Sequence, residues 1–261
     1  MEIGICTAPP SEAGAKAMLA AGAAYYEPSV AGAIMHDDAA GFDAGLASWS
    51  VQGLSPRAAN VLLPGDLSVV GPDVDRDRLE AYLTEAMRRV RKLGIERVIF
   101  GSGTARNIPD GFPADRGREQ YADAVRLAAA AAGTDVVICI EHLRKQETNL
   151  VNRLSEAGRI AEEIDQPNVG LVVDAYHLQE EGEPAAVVRD FPERVLHVHV
   201  CGPARKPPAE SDVARFQDLF EHLVAFGYQG RCSIECRWDD LETQAAAGVA
   251  AVRAAADAAG L

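Results

Sequence analysis

Four apolar runs in the second half of the chain each end in one side chain able to coordinate a cation. Val136-Val-Ile-Cys-Ile-Glu ends in Glu141, Val169-Gly-Leu-Val-Val-Asp in Asp174, Val195-Leu-His-Val-His in His199 and Cys232-Ser-Ile-Glu in Glu235. Short runs rich in Val and Ile read as buried strands, and near-continuous apolar strands belong to parallel sheets covered on both faces. Side chains two apart along a strand share a face. Val137, Cys139 and Glu141 therefore form one row, as do Gly170, Val172 and Asp174, then Val195, His197 and His199, and last Ser233 and Glu235. Each candidate ligand closes its row.

The rest of the chain follows the same alternation of strand and helix, the pattern of a parallel sheet. Ile3–Cys6 reads as the first strand, with an Ala-rich helix from about Ser11. Ala24–Glu27 is the second strand and again ends in an acid; residues 28–57 form a long loop with short helical pieces; Asn60–Leu63 is the third strand. Asp75 caps a helix over Arg76–Leu93, stopped by Gly94, and the fourth strand is Arg97–Gly101. Helices follow over Gln120–Ala132, with Gly133 as its cap, and over Thr148–Ile164. After the sixth strand a short helix begins at Pro184–Arg189, and the last two run over Asp212–Phe226 and Leu241–Ala259. Eight of each closes a barrel, and 261 residues is close to the roughly 250 of that fold. The expectation is an α/β chain folded as a single (β/α)8 TIM barrel over residues 1–261. Active sites of such barrels sit at the C-terminal strand ends, where Glu141, Asp174, His199 and Glu235 point. The outer helix ring leaves assembly into a homo-oligomer open.

Charge removes several classes of partner. The net charge is −14, and without a Lys/Arg run the chain has no basic patch to displace counterions from a nucleic acid. No apolar run reaches the length of a membrane span. Met1-Glu-Ile-Gly-Ile-Cys-Thr is already a strand, without the basic and apolar regions of a signal peptide. Five cysteines, odd in number and without paired spacing, imply reduced thiols and a cytoplasmic location. Cys232 and Cys236 share the side of Ile234, away from Glu235, and read as packed core thiols.

Three carboxylates and one imidazole make a mainly oxygen donor set, which suits Mn²⁺, Mg²⁺ or Co²⁺ better than Zn²⁺. His197 lies on the same face as His199, one layer deeper. Two residues of strand rise about 6.6 Å, and a metal–nitrogen bond is about 2.0–2.2 Å. One ion at the level of the other strand ends therefore takes His199, leaving His197 as a supporting or core residue.

These residues carry a resemblance. Glu141-x-Leu-x-x-x-Glu147-Thr-Asn-x-x-Asn152 resembles the motif of ketose 3-epimerases, and Asp174-x-x-His177 resembles their next block. His-x-His199 followed by Arg205 and Pro207, Tyr228-x-Gly-x-x-x-Ile-Glu235, and Phe100-Gly-Ser-Gly-x-Ala-Arg106 resemble further segments. Together they resemble the xylose-isomerase-like TIM-barrel superfamily. The resemblance implies that Glu141, Asp174, His199 and Glu235 hold one divalent ion and that Glu141 and Glu235 double as the acid/base pair. It implies that His177 and Arg205 contact oxygens of a small sugar or polyol substrate and that Glu147 orients a hydroxyl or a catalytic group. Arg144-Lys145 stands where the epimerases often have Asn-Arg, and Cys201-Gly202-Pro203 replaces an acid after the seventh strand. Both departures lie near the substrate pocket.

The implied activity is a metal-dependent sugar isomerase or epimerase. It moves a proton next to a ketose carbonyl through an enediolate, in 3-epimerisation or aldose–ketose isomerisation. An inosose-dehydratase-like lyase would form the same enolate and expel a β-hydroxyl. An abasic-site endonuclease of this fold uses a zinc cluster with more ligands than the six histidines of this chain supply; His36, His142 and His222 do not sit at inward strand ends. A barrel serving only as a binding scaffold would be indifferent to metal.

Overall fold

The computed structural model describes residues 1–261. Its eight strands are β1 Glu2–Cys6, β2 Tyr25–Glu27, β3 Ala58–Ala59, β4 Arg97–Phe100, β5 Val137–Glu141, β6 Val169–Asp174, β7 Val195–Val200 and β8 Arg231–Ile234. All paired strands are parallel, in the order β2-β1-β8-β7-β6-β5-β4-β3. The ring closes between β2 and β3 through parallel bridges, Tyr26 with Pro56 and Ser29 with Asn60. The helices are α1 Glu12–Ala20, α2 Ala39–Ala44, α3 Arg76–Lys92, α4 Ala114–Ala132, α5 Leu154–Ile164, α6 Ala175–Glu180, α7 Val213–Val224 and α8 Leu241–Ala259. The chain is a TIM barrel. No helix is long and apolar enough to cross a membrane.

Apolar residues divide into two sets. The larger lies between the strands and the helix ring; Ile3, Val98, Ile138, Val173, Val198 and Cys232 belong to it, with Cys236 packed at its edge. The smaller fills the barrel: Tyr25, Ala58, Ile99, Cys139 and Val172, flanked by Val137 and Leu196. Gly4 is required inside, because a Cβ there would overlap the Tyr25 ring. All five cysteines are unpaired. Local signals behave as expected where they are strong. The Asp75 carboxylate accepts from the Arg78 N–H at the start of α3, and Gly94 and Gly133 follow α3 and α4 with φ of +70° and +67°. Residues 28–57 carry a π-helical turn (Val30–Ile34), α2 and a 3-10 turn (Leu46–Trp49).

The structure corrects the sequence expectation at five places. The third strand is Ala58–Ala59 and not Asn60–Leu63, because Val61 turns into left-handed backbone at φ +46°. The fourth helix begins at Ala114, before Gln120; Gly117 lets it pack closely against Ile108 and Val70. The fifth begins at Leu154, not Thr148. Asn152 staples the preceding loop by donating to the Leu143 and Thr148 carbonyls, and the Glu183 carboxylate accepts from the Leu154 and Ser155 N–H groups. The sixth starts directly at Ala175, capped by Asp174, and Ala185–Asp190 is a 3-10 segment. In β7 the pairing slips: Leu171 faces Val195 but Val172 faces His197. Leu196 is thus an extra, bulged residue packed inside the barrel against Gly170, where a Cβ would come within 2.6 Å of it. Val195 packs outward with the helices, so His197 and His199 share an inner row without it.

Candidate functional site

The four strand-end residues converge at the C-terminal mouth. Glu141, Asp174, His199 and Glu235 each offer a ligand atom, and these atoms all lie within 4.8 Å of one another. Glu141 is 5% exposed. Behind it the fully buried Arg106 donates through Nη1 to the Glu141 carbonyl at 2.7 Å and to the Tyr121 hydroxyl at 3.1 Å, fixing the end of β5. Asp174 splits its carboxylate between two tasks. Oδ1 accepts from the Tyr176 and His177 N–H groups at 2.7 and 3.2 Å and starts α6, while Oδ2 lies 3.6 Å from His177 Nε2. The His199 ring points Nδ1 toward Glu141 Oε1 at 3.5 Å and Glu235 Oε2 at 3.6 Å. Glu235, just past β8, accepts from Asn60 Nδ2 at 3.1 Å and from Arg205 Nη1 at 2.9 Å.

The electrostatics favour a cation. Glu141 Oε1 and His199 Nδ1 are buried without any hydrogen-bond partner, an arrangement native proteins avoid unless something else fills it. Burial, with the charge of Glu235, pushes the Glu141 carboxyl above its usual range and Asp174 up to about 6. Burial also works against ionised Glu235, but His199 and Arg205 outweigh it and hold that carboxyl at about 2. Burial would make His199 less basic, yet Glu27 and Glu235 carry it well above an ordinary imidazole. Buried acceptors gathered around one space, mostly oxygen, fit a hard or borderline divalent ion.

The other three residues expected from the sequence lie beside this group. Arg205 reaches Glu147 Oε1 and Oε2 at 3.3 and 3.4 Å through Nη2, and the same nitrogen is 2.8 Å from His177 Nε2. His177 Nδ1 accepts the Arg144 backbone N–H at 3.1 Å. A neutral imidazole has only one acceptor nitrogen, so His177 cannot satisfy both neighbours, and a ligand oxygen replacing either contact would remove the conflict. Arg144, one of the departures from the epimerase pattern, donates to Glu147, Glu180 and the Tyr176 hydroxyl. Both Arg144 and Arg205 lie over the Tyr176 ring, at 5.1 and 4.8 Å from its centroid.

Sequence reasoning assigned no role to Glu27 or Asn60. Glu27 ends β2 and accepts from His199 Nε2 at 2.9 Å, His197 Nε2 at 3.0 Å and the Ser233 hydroxyl at 2.6 Å. The signal that could have found it is the acid at the end of the second strand, the same device as in the other four. Asn60 gave no such signal, because its contact with Glu235 joins residues 175 apart in the chain. Left-handed non-glycine backbone recurs in the loops around the mouth, at Val61, Ser102, Val151, Ala204 and Arg205 with φ between +43° and +60°. Such conformations cost about 1–3 kcal/mol each; among these residues Arg205 carries the guanidinium that meets Glu235 and Glu147.

Comparison with known proteins agrees with this architecture. The 3-dehydro-D-guloside 4-epimerase of Escherichia coli (strain K12) is 34% identical over 178 residues, 64% of this chain and 68% of that protein. The D-psicose 3-epimerase of Ruminiclostridium cellulolyticum is 25% identical over 65% of this chain and 59% of its own length, and the ketose 3-epimerase of Arthrobacter globiformis is 28% identical over 40% and 36%. The chain thus matches less than two thirds of the length of the latter two. Among solved structures, the apo 3-keto-D-glucoside 4-epimerase of E. coli superposes with a TM-score of 0.77 at 22% identity, covering 97% of this chain and 99% of that one. The D-allulose 3-epimerase of Methylomonas sp., solved with D-allulose, superposes with a TM-score of 0.80 at 20% identity over 97% and 96%. A family model described as xylose isomerase-like TIM barrel matches residues 57–255, more than half of the chain, and the protein belongs to that family.

Proposed function

We propose that the protein is a divalent-metal-dependent carbohydrate epimerase that inverts a carbon next to a ketone. The observation that carries this reading is the convergence of Glu141, Asp174, His199 and Glu235 at the mouth, with ligand atoms all within 4.8 Å of one another; beside it, burial raises the Glu141 carboxyl while His199 and Arg205 lower that of Glu235. Environments that push two acids apart in this way suit an acid and a base. Glu141 and Glu235 come from β5 and β8, with β6 and β7 between them, so they can flank a substrate laid across the mouth. Glu235 takes the proton from the carbon next to the carbonyl. The C–H electron pair moves to the carbonyl oxygen, giving an enediolate. Glu141 returns a proton to the opposite face, which inverts that carbon, and in the reverse direction the roles exchange. A divalent ion held by Glu141, Asp174, His199 and Glu235, of the Mn²⁺, Mg²⁺ or Co²⁺ type, would supply Lewis-acid stabilisation of the developing oxyanion. Arg205 keeps Glu235 ionised, and His177 and Glu147 are placed to receive substrate hydroxyls. The relatives named as sugar epimerases support epimerisation of a sugar as the reaction.

The test is exchange in deuterium oxide. After loading with Mn²⁺, the protein is incubated with ketopentoses, ketohexoses and a 3-keto-glucoside. Deuterium is expected at one carbon beside the carbonyl of at least one substrate, together with its epimer. No incorporation at any such carbon would sink the proposal, and loss of water from the product would replace it with the lyase reading.

A further inference from the structure

We infer that Glu27 is a positioning residue that fixes the tautomer of His199 and so presents Nδ1, not Nε2, at the centre of the site. The inference rests on the divalent-ion reading above. Glu27 is 1% exposed and reaches across the barrel interior from β2 to β7 and β8. An ionised carboxylate can only accept hydrogen bonds, and Glu27 faces three donors. Oε1 takes His199 Nε2, and Oε2 takes His197 Nε2 and the Ser233 hydroxyl. Ser233, having given its proton to Glu27, accepts from the Tyr25 hydroxyl at 2.7 Å. The polarity of this network is thereby set: Tyr25 donates to Ser233, Ser233 to Glu27, and both imidazoles carry their proton on Nε2.

With Nε2 of each ring committed to Glu27, Nδ1 is the nitrogen left for an ion, which would displace any proton there, and both Nδ1 atoms are buried without a partner. They differ in what surrounds them. His199 Nδ1 lies 3.5 and 3.6 Å from Glu141 and Glu235, whereas the only carboxylate within reach of His197 is Glu27 itself, at Nε2. The two rings stand 5.1 Å apart at 82°. One acid therefore commits both histidines and leaves a single nitrogen open to an ion at the mouth. Cys6 also comes within 4.8 Å of Glu27 and His199, but the Glu27 oxygens are already occupied by three donors, so that trio is not an open ligand set. A hydrogen-bonded carboxylate behind a ligating imidazole orients it and raises its basicity, and losing such a partner costs roughly 10–100-fold in metal affinity.

The experiment compares the wild-type chain with Glu27→Gln and Glu27→Asp. Calorimetry reads Mn²⁺ affinity, and long-range ¹H–¹⁵N correlation in the Mg²⁺-saturated protein reads imidazole tautomers. The wild type is expected to show His199 with its proton on Nε2 and Nδ1 coordinated. Glu27→Gln should bind Mn²⁺ about 10–100-fold more weakly, and Glu27→Asp, which keeps a pure acceptor, should recover part of that loss. His199 coordinated through Nε2 in the wild type, or a folded Glu27→Gln with wild-type Mn²⁺ affinity, overturns the inference and leaves the epimerase reading standing. The tautomer measurement needs no variant to fold. A wild-type chain that binds neither Mn²⁺ nor Mg²⁺ overturns both.

Discussion

Gly101 leaves open the space that the Glu141 carboxylate fills: a Cβ built on it would overlap Glu141 Oε2. The residue ends the run of β4 beside β5, and its lack of a side chain is what lets a buried acid stand at the mouth. Gly101→Ala should cost about 1–3 kcal/mol of stability through overpacking and displace Glu141. We expect a folded protein by circular dichroism whose Mn²⁺ affinity falls at least tenfold. Wild-type affinity in that variant would mean that Glu141 is not a ligand.

His199→Ala should abolish Mn²⁺ binding, while His197→Ala should retain it. Both rings are fully buried and both bond to Glu27, so each loss leaves a buried acceptor short of a donor at about 1–3 kcal/mol. Only His199 offers Nδ1 to the carboxylate group. Titration of the two variants with Mn²⁺, beside thermal unfolding, separates the roles; metal loss in the reverse order would show that the level of the ion in β7 is wrong.

The stability of the metal-free protein should respond to pH at Asp174. Burial, then the charge of Glu235, raises this carboxyl to about 6, against about 3.9 in an unfolded chain. The folded state therefore binds the proton more tightly. The contribution is fully present below about pH 4 and is lost as pH rises through about 6. A divalent ion competes for the same oxygen, so the rise in melting temperature on adding Mn²⁺ should be larger at pH 7.5 than at pH 5. Equal shifts at both pH values would count against Asp174 as a ligand.

Arg205→Lys should not preserve activity. The guanidinium donates to Glu235 through Nη1 and to Glu147 through Nη2 while lying over Tyr176, three contacts that a single ammonium cannot reproduce. Glu235 would lose a partner that keeps it ionised. We expect kcat to fall about 10²-fold, the lower end of what a general base contributes, with the acidic limb of the rate profile moved up in pH. An unshifted limb would assign Arg205 to substrate contact alone.

The fold was legible because its signals are local. Each apolar run is short enough to be a strand, helix periods lie between them, and caps such as Asp75 and Gly133 act within one turn. The start of α6 has a local cause, the Asp174 cap, but three other misreadings have tertiary ones. Val61 ends β3 early because the neighbouring loop bonds to it, with the Ala31 N–H donating to its carbonyl at 3.0 Å. The start of α5 is fixed by Glu183, 29 residues further on. The bulge at Leu196 exists because Gly170 on the next strand leaves room for it.

The same division runs through the candidate site. The sequence by itself determined that Glu141, Asp174, His199 and Glu235 end inward rows on neighbouring strands, since alternation along a strand needs only the residue order. The place of Glu147, His177 and Arg205 beside them was implied by the resemblance to the ketose 3-epimerases. Only the tertiary structure decided what stands behind them. Glu27 meets His197, His199 and Ser233 across separations of 170, 172 and 206 residues, and Asn60 meets Glu235 across 175. No local pattern encodes such contacts. They arise when a closed ring brings β2 and β3 opposite β7 and β8, and the low-dielectric interior then penalises a buried polar group left without a partner.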